Sequence, residues 1–184
     1  MPRRLRRPEP ALADDAIRLE PLAEALAPEL GWVLDGDPDT DRFTRIPAKP
    51  DAAFLTTWLG RYERAWETES SAGFAVRDAS SGEAIGFAGF VQLDLDQQEG
   101  EIGYVVASAA RGRGAAGRAV ALLTRWGFDG LGLQRIELRI DPANEPSARI
   151  ARRLGYRHEG TLRNTYFKEG RRGDVDIWSR LADD

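Results

Sequence analysis

Cysteine is absent from this chain of 184 residues. Disulfides, thiolate metal sites and a cysteine nucleophile are thereby excluded. Histidine occurs once, as His158, which argues against a histidine-rich metal centre. No apolar run approaches the ~20 residues needed to span a bilayer. The basic start, Met1-Pro2-Arg3-Arg4-Leu5-Arg6-Arg7, leads into Pro8-Glu9-Pro10 rather than the apolar stretch of a signal peptide. A strong excess of one charge is also missing, because the net charge is -4. Bulk electrostatics therefore give no reason to expect nucleic acid or an anionic membrane as partner. The expectation is a cytoplasmic, metal-free protein with residues 1–14 as a disordered basic tail and residues 15–184 as one domain.

What is present is ordinary globular material, with 42% apolar and 30% charged residues. Ala16 to Leu22 alternates Ile17, Leu19 and Pro21 with polar neighbours and reads as a strand. Leu22 to Leu34 reads as a helix that ends near Gly36 and Pro38, and Phe43 to Pro50 as irregular chain. Asp51 to Glu69 carries Phe54, Leu55, Trp58, Tyr62 and Trp66 at helical spacing. From Gly73 the period changes: 73–77, 84–93 and 101–106 read as strands, with a polar turn over 94–100. Ala115 to Phe128 reads as a helix stopped by Gly130 and Gly132. A strand over 135–140 and a helix from Asn144 to Leu154 follow. The chain ends in two strands around a Glu169-Gly170 turn. Interleaved strands and helices imply a single sheet of the α/β or α+β class.

One stretch carries chemistry. The strand Glu101 to Val106 leads through a short loop into Arg111-Gly112-Arg113-Gly114-Ala115-Ala116-Gly117, which opens a helix. Small residues let a ligand approach the backbone, and glycine permits the positive φ of a tight loop. Free N–H groups at a helix start, together with the helix dipole, make an anion site. Arg111, Arg113 and Arg118 add positive charge for a phosphate. No Gly-Lys-Ser/Thr follows, so it is not a nucleotide-triphosphatase loop. The Gly112, Gly114, Gly117 pattern lies too late in the chain for a dinucleotide fingerprint.

In its context this stretch resembles the GNAT acyltransferase superfamily. Arg111, Gly114 and Ala116 match the Q/R-x-x-G-x-G/A signature; Glu101-Ile102-Gly103-Tyr104 precedes it, and Asn144, Ser147 and Leu154-Gly155-Tyr156 follow. Arg42-Phe43-Thr44-Arg45-Ile46-Pro47 and Glu159-Gly160-Thr161-Leu162-Arg163 are similar to the RimJ/RimL-like branch, which acetylates protein N-termini. The resemblance implies a mixed, mostly antiparallel twisted sheet of about seven strands flanked by about four helices. It implies acetyl-CoA as co-substrate, its pantetheine arm along backbone groups of Val105 and Val106 and near Asn144. The N–H groups from Arg113 through Gly114, Ala115, Ala116 and Gly117 would hold the pyrophosphate. Asn144 is also well placed as a helix cap. Similar proteins often dimerise, but no segment of this sequence identifies an interface.

The implied reaction is attack of a neutral amine on the thioester. An α-amine, with a pKa near ~7.7–8 against ~10.4 for lysine, is the easier nucleophile. Glu101, at the start of the cofactor strand, is the candidate base, with Glu99, Asp96 and Asp94 as rivals and a water chain as the alternative. Many members of the superfamily place an acidic tyrosine seven residues after the asparagine; Ala151 stands there, which moves the acid role to Ser147, with Tyr156 as the weaker candidate. Where the serine-acetylating type can carry a glutamate on the last hairpin, this chain has Tyr166. A protein or peptide N-terminus is the expected acceptor. Polyamines, antibiotics or other small amines are the alternative, and a non-catalytic acyl-CoA-binding module the alternative of another class. Trp32, Phe43, Trp58, Tyr166 and Phe167 are the aromatics available to an acceptor cleft.

Overall fold

In the computed structural model, residues 4–184 are described apart from 35, 48 and 169. Seven strands form one sheet: β1 (Ile17–Pro21), β2 (Ala72–Asp78), β3 (Ala84–Asp94), β4 (Glu99–Val106), β5 (Arg135–Ile140), β6 (Arg157–Lys168) and β7 (Arg171–Leu181). Their order is β1-β2-β3-β4-β5-β7-β6, and only β4 and β5 run parallel. The described helices are α1 (Ala27–Leu34), α2 (Pro38–Phe43), α3 (Ala52–Thr68), α4 (Ala115–Arg125) and α5 (Glu145–Arg153). This is the mostly antiparallel sheet of seven strands that the resemblance implies, with five α-helices among the described residues where about four were expected.

The period-2 pattern of β2 explains why the sheet is covered on both faces. Phe74 and Val76 join Phe90, Ala119 and Leu123 in one core, whereas Ala75 joins Leu30, Leu55, Leu59 and Phe87 in the other. Successive strand side chains point to opposite faces, so α4 and α5 pack on one side and α1 and α3 on the other. Helix α3 is started by Asp51, whose carboxylate accepts from the Phe54 N–H at 2.7 Å, and stopped at Glu69 in the left-handed region. Burying an aliphatic or aromatic side chain such as Phe74, Leu59 or Leu123 stabilises the fold by roughly 1.5–3 kcal/mol.

Two elements differ from the expectation. Pro38 does not merely end a helix: it starts α2, where proline fits the first turn and Asp37 caps the N–H of Asp39. The turn expected over 94–100 is shorter, because Glu99 and Gly100 pair with β3 on one side and β5 on the other. The chain expected as a tail sets Leu5 into the core at 7% exposure; its N–H donates to Glu69, and Arg7 lies over the Trp66 ring. Glu169, named for the last turn, lies outside the described residues.

The parallel junction shapes the site. β4 and β5 pair only at Glu99–Arg135, Gly100–Ile136 and Glu101–Glu137. Beyond Glu101 they share no register, while β4 remains paired with β3 as far as Val106. The edge of β4 that faces β5 is therefore unpaired from Ile102 onward.

Candidate active site at the strand junction

A cavity of about 620 Å³ opens where β4 and β5 part. Glu101 and Val105 reach it from β4, Asn144 and Ser147 from the start of α5, and Tyr166 from β6. Residues 42–46 and side chains of α3 close it opposite the sheet. Four site residues expected from the sequence, Glu101, Val105, Asn144 and Ser147, thus meet in one space.

Glu101 is half-buried. Burial pushes its carboxyl pKa up, Arg139 and Arg45 pull it down, and Glu137 pushes it up again; the net shift is upward. Arg139 Nε stands 3.3 Å from Glu101 and 3.5 Å from Glu137, so one guanidinium is shared between two carboxylates. A desolvated carboxylate with a raised pKa in a cavity suits proton transfer near neutral pH. The rival acids Asp94, Asp96 and Glu99 are exposed, and none of them lines the cavity.

Asn144 is both cap and cavity residue. Its Oδ1 accepts from the Ser147 N–H at 3.2 Å, which fixes the first turn of α5 and leaves the amide NH2 for another partner. Ala151, further along the same helix, is fully buried. Tyr156 is not an acid for this site: its hydroxyl is bonded to Thr124 at 2.7 Å and is absent from the cavity wall. Tyr166 donates to the carbonyl of Thr44 at 2.7 Å and so ties the last hairpin to the 42–46 segment. Lys168 does the same through Asp41 and the Ile46 carbonyl, both at 2.8 Å. Phe43 and Trp58 join Tyr166 in the wall; the side chains of Trp32 and Phe167 lie outside the described ones. His158 stands 3.3 Å from Asp176, against the Trp178 ring and away from the cavity.

Sequence reasoning missed Tyr104. Its hydroxyl is buried in the cavity wall and makes no hydrogen bond to any described group. Burial pushes the phenol pKa up and the Ser147 hydroxyl pulls it down; the net shift is upward. A buried, unpaired hydroxyl is costly unless a ligand satisfies it. The signal was the alternation of β4: Ile102, Tyr104 and Val106 share the face covered by α4 and α5.

The loop before α4 lies outside this cavity. Gly112 and Gly114 have φ of 77° and 83°, the left-handed region that glycine enters without strain. Gly114 is the N-cap of α4, and no side chain caps the helix. The first-turn N–H groups of Ala115, Ala116 and Gly117 are therefore free of intrahelical partners. The arginines behave differently from one another. Arg111 donates to the Val106 carbonyl at 3.0 Å and to Asp39 at 2.8 Å, and it also grips Asp37. Arg118 pairs with Asp14 and Asp15. Arg113 has no ion pair among the described residues and is the guanidinium left for an anion.

The model of the acetyltransferase (GNAT) domain matches residues 16–157. An uncharacterized N-acetyltransferase, p20, of Bacillus licheniformis is 36% identical over 59% of this chain and 61% of its own length. Spermidine N(1)-acetyltransferase of Escherichia coli is 29% identical over 59% of this chain and 58% of its own. The chain thus spans little more than half of these two relatives. Among solved structures, a probable acetyltransferase (GNAT family) from Chromobacterium violaceum aligns with a TM-score of 0.80 at 33% identity, covering 96% of this chain and 88% of that one. RimL, a ribosomal L7/L12 α-N-protein acetyltransferase in complex with coenzyme A, aligns at 0.82 with 16% identity, covering 93% and 97%, which is a likeness of fold.

Proposed function

The chain belongs to the GNAT acetyltransferase family, and from that premise we propose that it transfers the acetyl group of acetyl-CoA to the N-terminal α-amine of a protein or peptide. The observation that carries this is the meeting of Glu101, Val105, Asn144 and Ser147 around one cavity at the unpaired edge of β4. An extended ligand arm can add itself to such an edge as a further strand. The groups present fit the co-substrate: a free strand edge for the amide-rich arm, a glycine loop and uncapped helix start for the pyrophosphate, and Arg113 for charge. Val105, Val106 and Asn144 would hold the arm; Arg113, Gly114, Ala115, Ala116 and Gly117 would hold the phosphates. Arg111, whose side chain is tied to Asp37 and Asp39, would act by holding the loop in place.

Glu101 takes the proton that the ammonium or attacking amine must lose, directly or through water. The amine nitrogen bonds to the thioester carbon, and its oxygen becomes an oxyanion. A backbone N–H at Val105 or Val106 stabilises that charge, since preorganised donors are usually the largest catalytic contribution. The carbon–sulfur bond then breaks; the Ser147 hydroxyl donates a hydrogen bond to the leaving thiolate while keeping its proton. The proton taken up by Glu101 passes through water to the thiolate or to solvent, which restores the carboxylate.

The spermidine acetyltransferase relative favours a second reading, a small polyamine as acceptor. One screen separates the readings. Acetyl-CoA is mixed with peptides beginning in Ala, Ser or Thr, with spermidine and with other small amines, and free thiol is followed; the lack of protein cysteine keeps the background low. Turnover on peptides supports the first reading and turnover on spermidine alone the second. Tight acetyl-CoA binding without turnover would make the protein a binding module.

A further inference from the structure

The charges of the cavity wall are unevenly matched. The wall carries four arginines against three carboxylates: Glu101 is held by Arg139, while Asp174 and Asp141 accept from the Asn164 and Ala143 N–H groups at 2.9 and 2.8 Å and keep their charge. Three arginines in the same wall, Arg42, Arg45 and Arg61, have no ion pair among the described residues. Each lies instead over an aromatic ring: Arg42 over Phe43 at 4.9 Å, Arg45 over Tyr166 at 5.8 Å and Arg61 over Tyr62 at 5.6 Å. A ring contact of this kind leaves the guanidinium charge in place. The chain as a whole carries a net charge of -4, so this local positive cluster opposes the sign of the molecule.

We infer that the acceptor is a peptide N-terminus followed by acidic residues: the amine goes to Glu101, and side-chain carboxylates behind it meet Arg42, Arg45 and Arg61. This rests on the acetyl-transfer reading above and narrows its substrate. The arginines come from three places, the last turn of α2 (Arg42), the segment after it (Arg45) and helix α3 (Arg61), which suits charges spaced along a chain. Arg45 is near enough to Glu101 to affect its titration, so the positive field reaches the amine end. A polyamine brings several positive charges into this field and is disfavoured by the same electrostatics. Leu162, 44% exposed at the cavity, offers an apolar contact to the residue beside the amine.

The test compares C-terminally amidated peptides of equal length, Ser followed by two Glu, two Gln or two Lys, together with spermidine. kcat/KM for each is read by thiol release at low salt and at about 0.5 M salt. Exposed charge contacts are individually worth only a few-fold, so about tenfold is expected between the Glu and Lys peptides, with the Gln peptide between. The ratio should shrink at high salt. In Arg42→Glu and in Arg61→Glu the ratio of the Glu to the Lys peptide should fall toward one; a ratio taken within one variant is insensitive to its active fraction. Equal rates on the three peptides, or a ratio unmoved by either substitution, would overturn the inference while leaving peptide acetylation intact. Turnover of spermidine alone would overturn the peptide-acceptor reading on which it rests, and turnover of no acceptor would overturn the acetyl-transfer reading itself.

Discussion

Glu101 and Arg139 lie 3.3 Å apart on neighbouring strands whose last shared pair is Glu101–Glu137, so a half-buried carboxylate and its guanidinium stand where the sheet opens. Burial raises the Glu101 pKa and Arg139 moderates the rise. At saturating peptide, the acid limb of kcat should therefore lie above the ordinary glutamate range of ~4.3. Activity rises with pH through that limb because the ionised carboxylate is the competent form. Glu101→Gln should lower kcat by about 10²-fold or more and remove the limb. A kcat–pH profile of both proteins checks this; an unchanged profile would assign the proton to a water chain.

Tyr104 and Ser147 allow stability and catalysis to be separated. The Tyr104 hydroxyl is buried without a partner, so Tyr104→Phe removes no hydrogen bond and should leave the urea midpoint equal or slightly higher. If the two hydroxyls serve the leaving thiolate together, Tyr104→Phe should cost about tenfold in kcat and Ser147→Ala about 10²-fold. The double variant should be little worse than the poorer single one, since residues acting as a unit are not additive. Steady-state rates and urea melts on the four proteins check both halves.

Arg111 joins the glycine loop to the capping residue of α2. The Asp37 side chain is only 5% exposed. Burial alone would raise its pKa, but the Thr40 hydroxyl at 2.7 Å, Arg111 and the Asp39 N–H outweigh burial and hold it below its ordinary value. Arg111→Ala strands this carboxylate and should destabilise by about 1–3 kcal/mol. Adding Asp37→Asn should recover part of the loss, because the uncompensated charge is gone. Urea unfolding of the two single variants and the double variant measures the coupling.

Acid stability should depend on Glu159. Hydrogen bonds from Arg135 and Ser179 lower its pKa to about 2. A folded-state pKa below the unfolded one gives stability that is present above about 4.3 and lost as pH falls toward 2. The side chain is 43% exposed, so water screens the pair and the contribution should not exceed about 1 kcal/mol. The gap in urea midpoint between wild type and Glu159→Gln should therefore narrow steadily from pH 5 to pH 2.

Strand alternation and helical stripes were readable wherever one face is apolar and the other polar, as in Asp51 to Glu69 or Arg135 to Ile140. The Asn144 cap and the glycine loop were readable because their chemistry is local. α2 was not, since it is short and its start depends on Asp37 being buried beneath Arg111, a contact between distant parts of the chain. For the same reason the arginines of the loop looked equivalent in sequence, although Arg111 and Arg118 are drawn off by acids far along the chain. Tyr104 looked like an ordinary strand aromatic; only the parting of β4 from β5 leaves its hydroxyl facing Ser147. The acceptor end shows little in sequence because Arg42, Arg45 and Arg61 become a cluster only when the 42–46 segment, α3 and the last hairpin meet.

The most direct measurement is fragment mass spectrometry of a peptide that begins with Ser and contains one internal Lys, after incubation with the protein and acetyl-CoA, with free thiol followed alongside. The account predicts one acetyl group on the α-nitrogen, one thiol released per acetyl transferred, and loss of both in Glu101→Gln. Acetyl found only on the lysine side chain, or thiol released with no acetylated peptide, would contradict it.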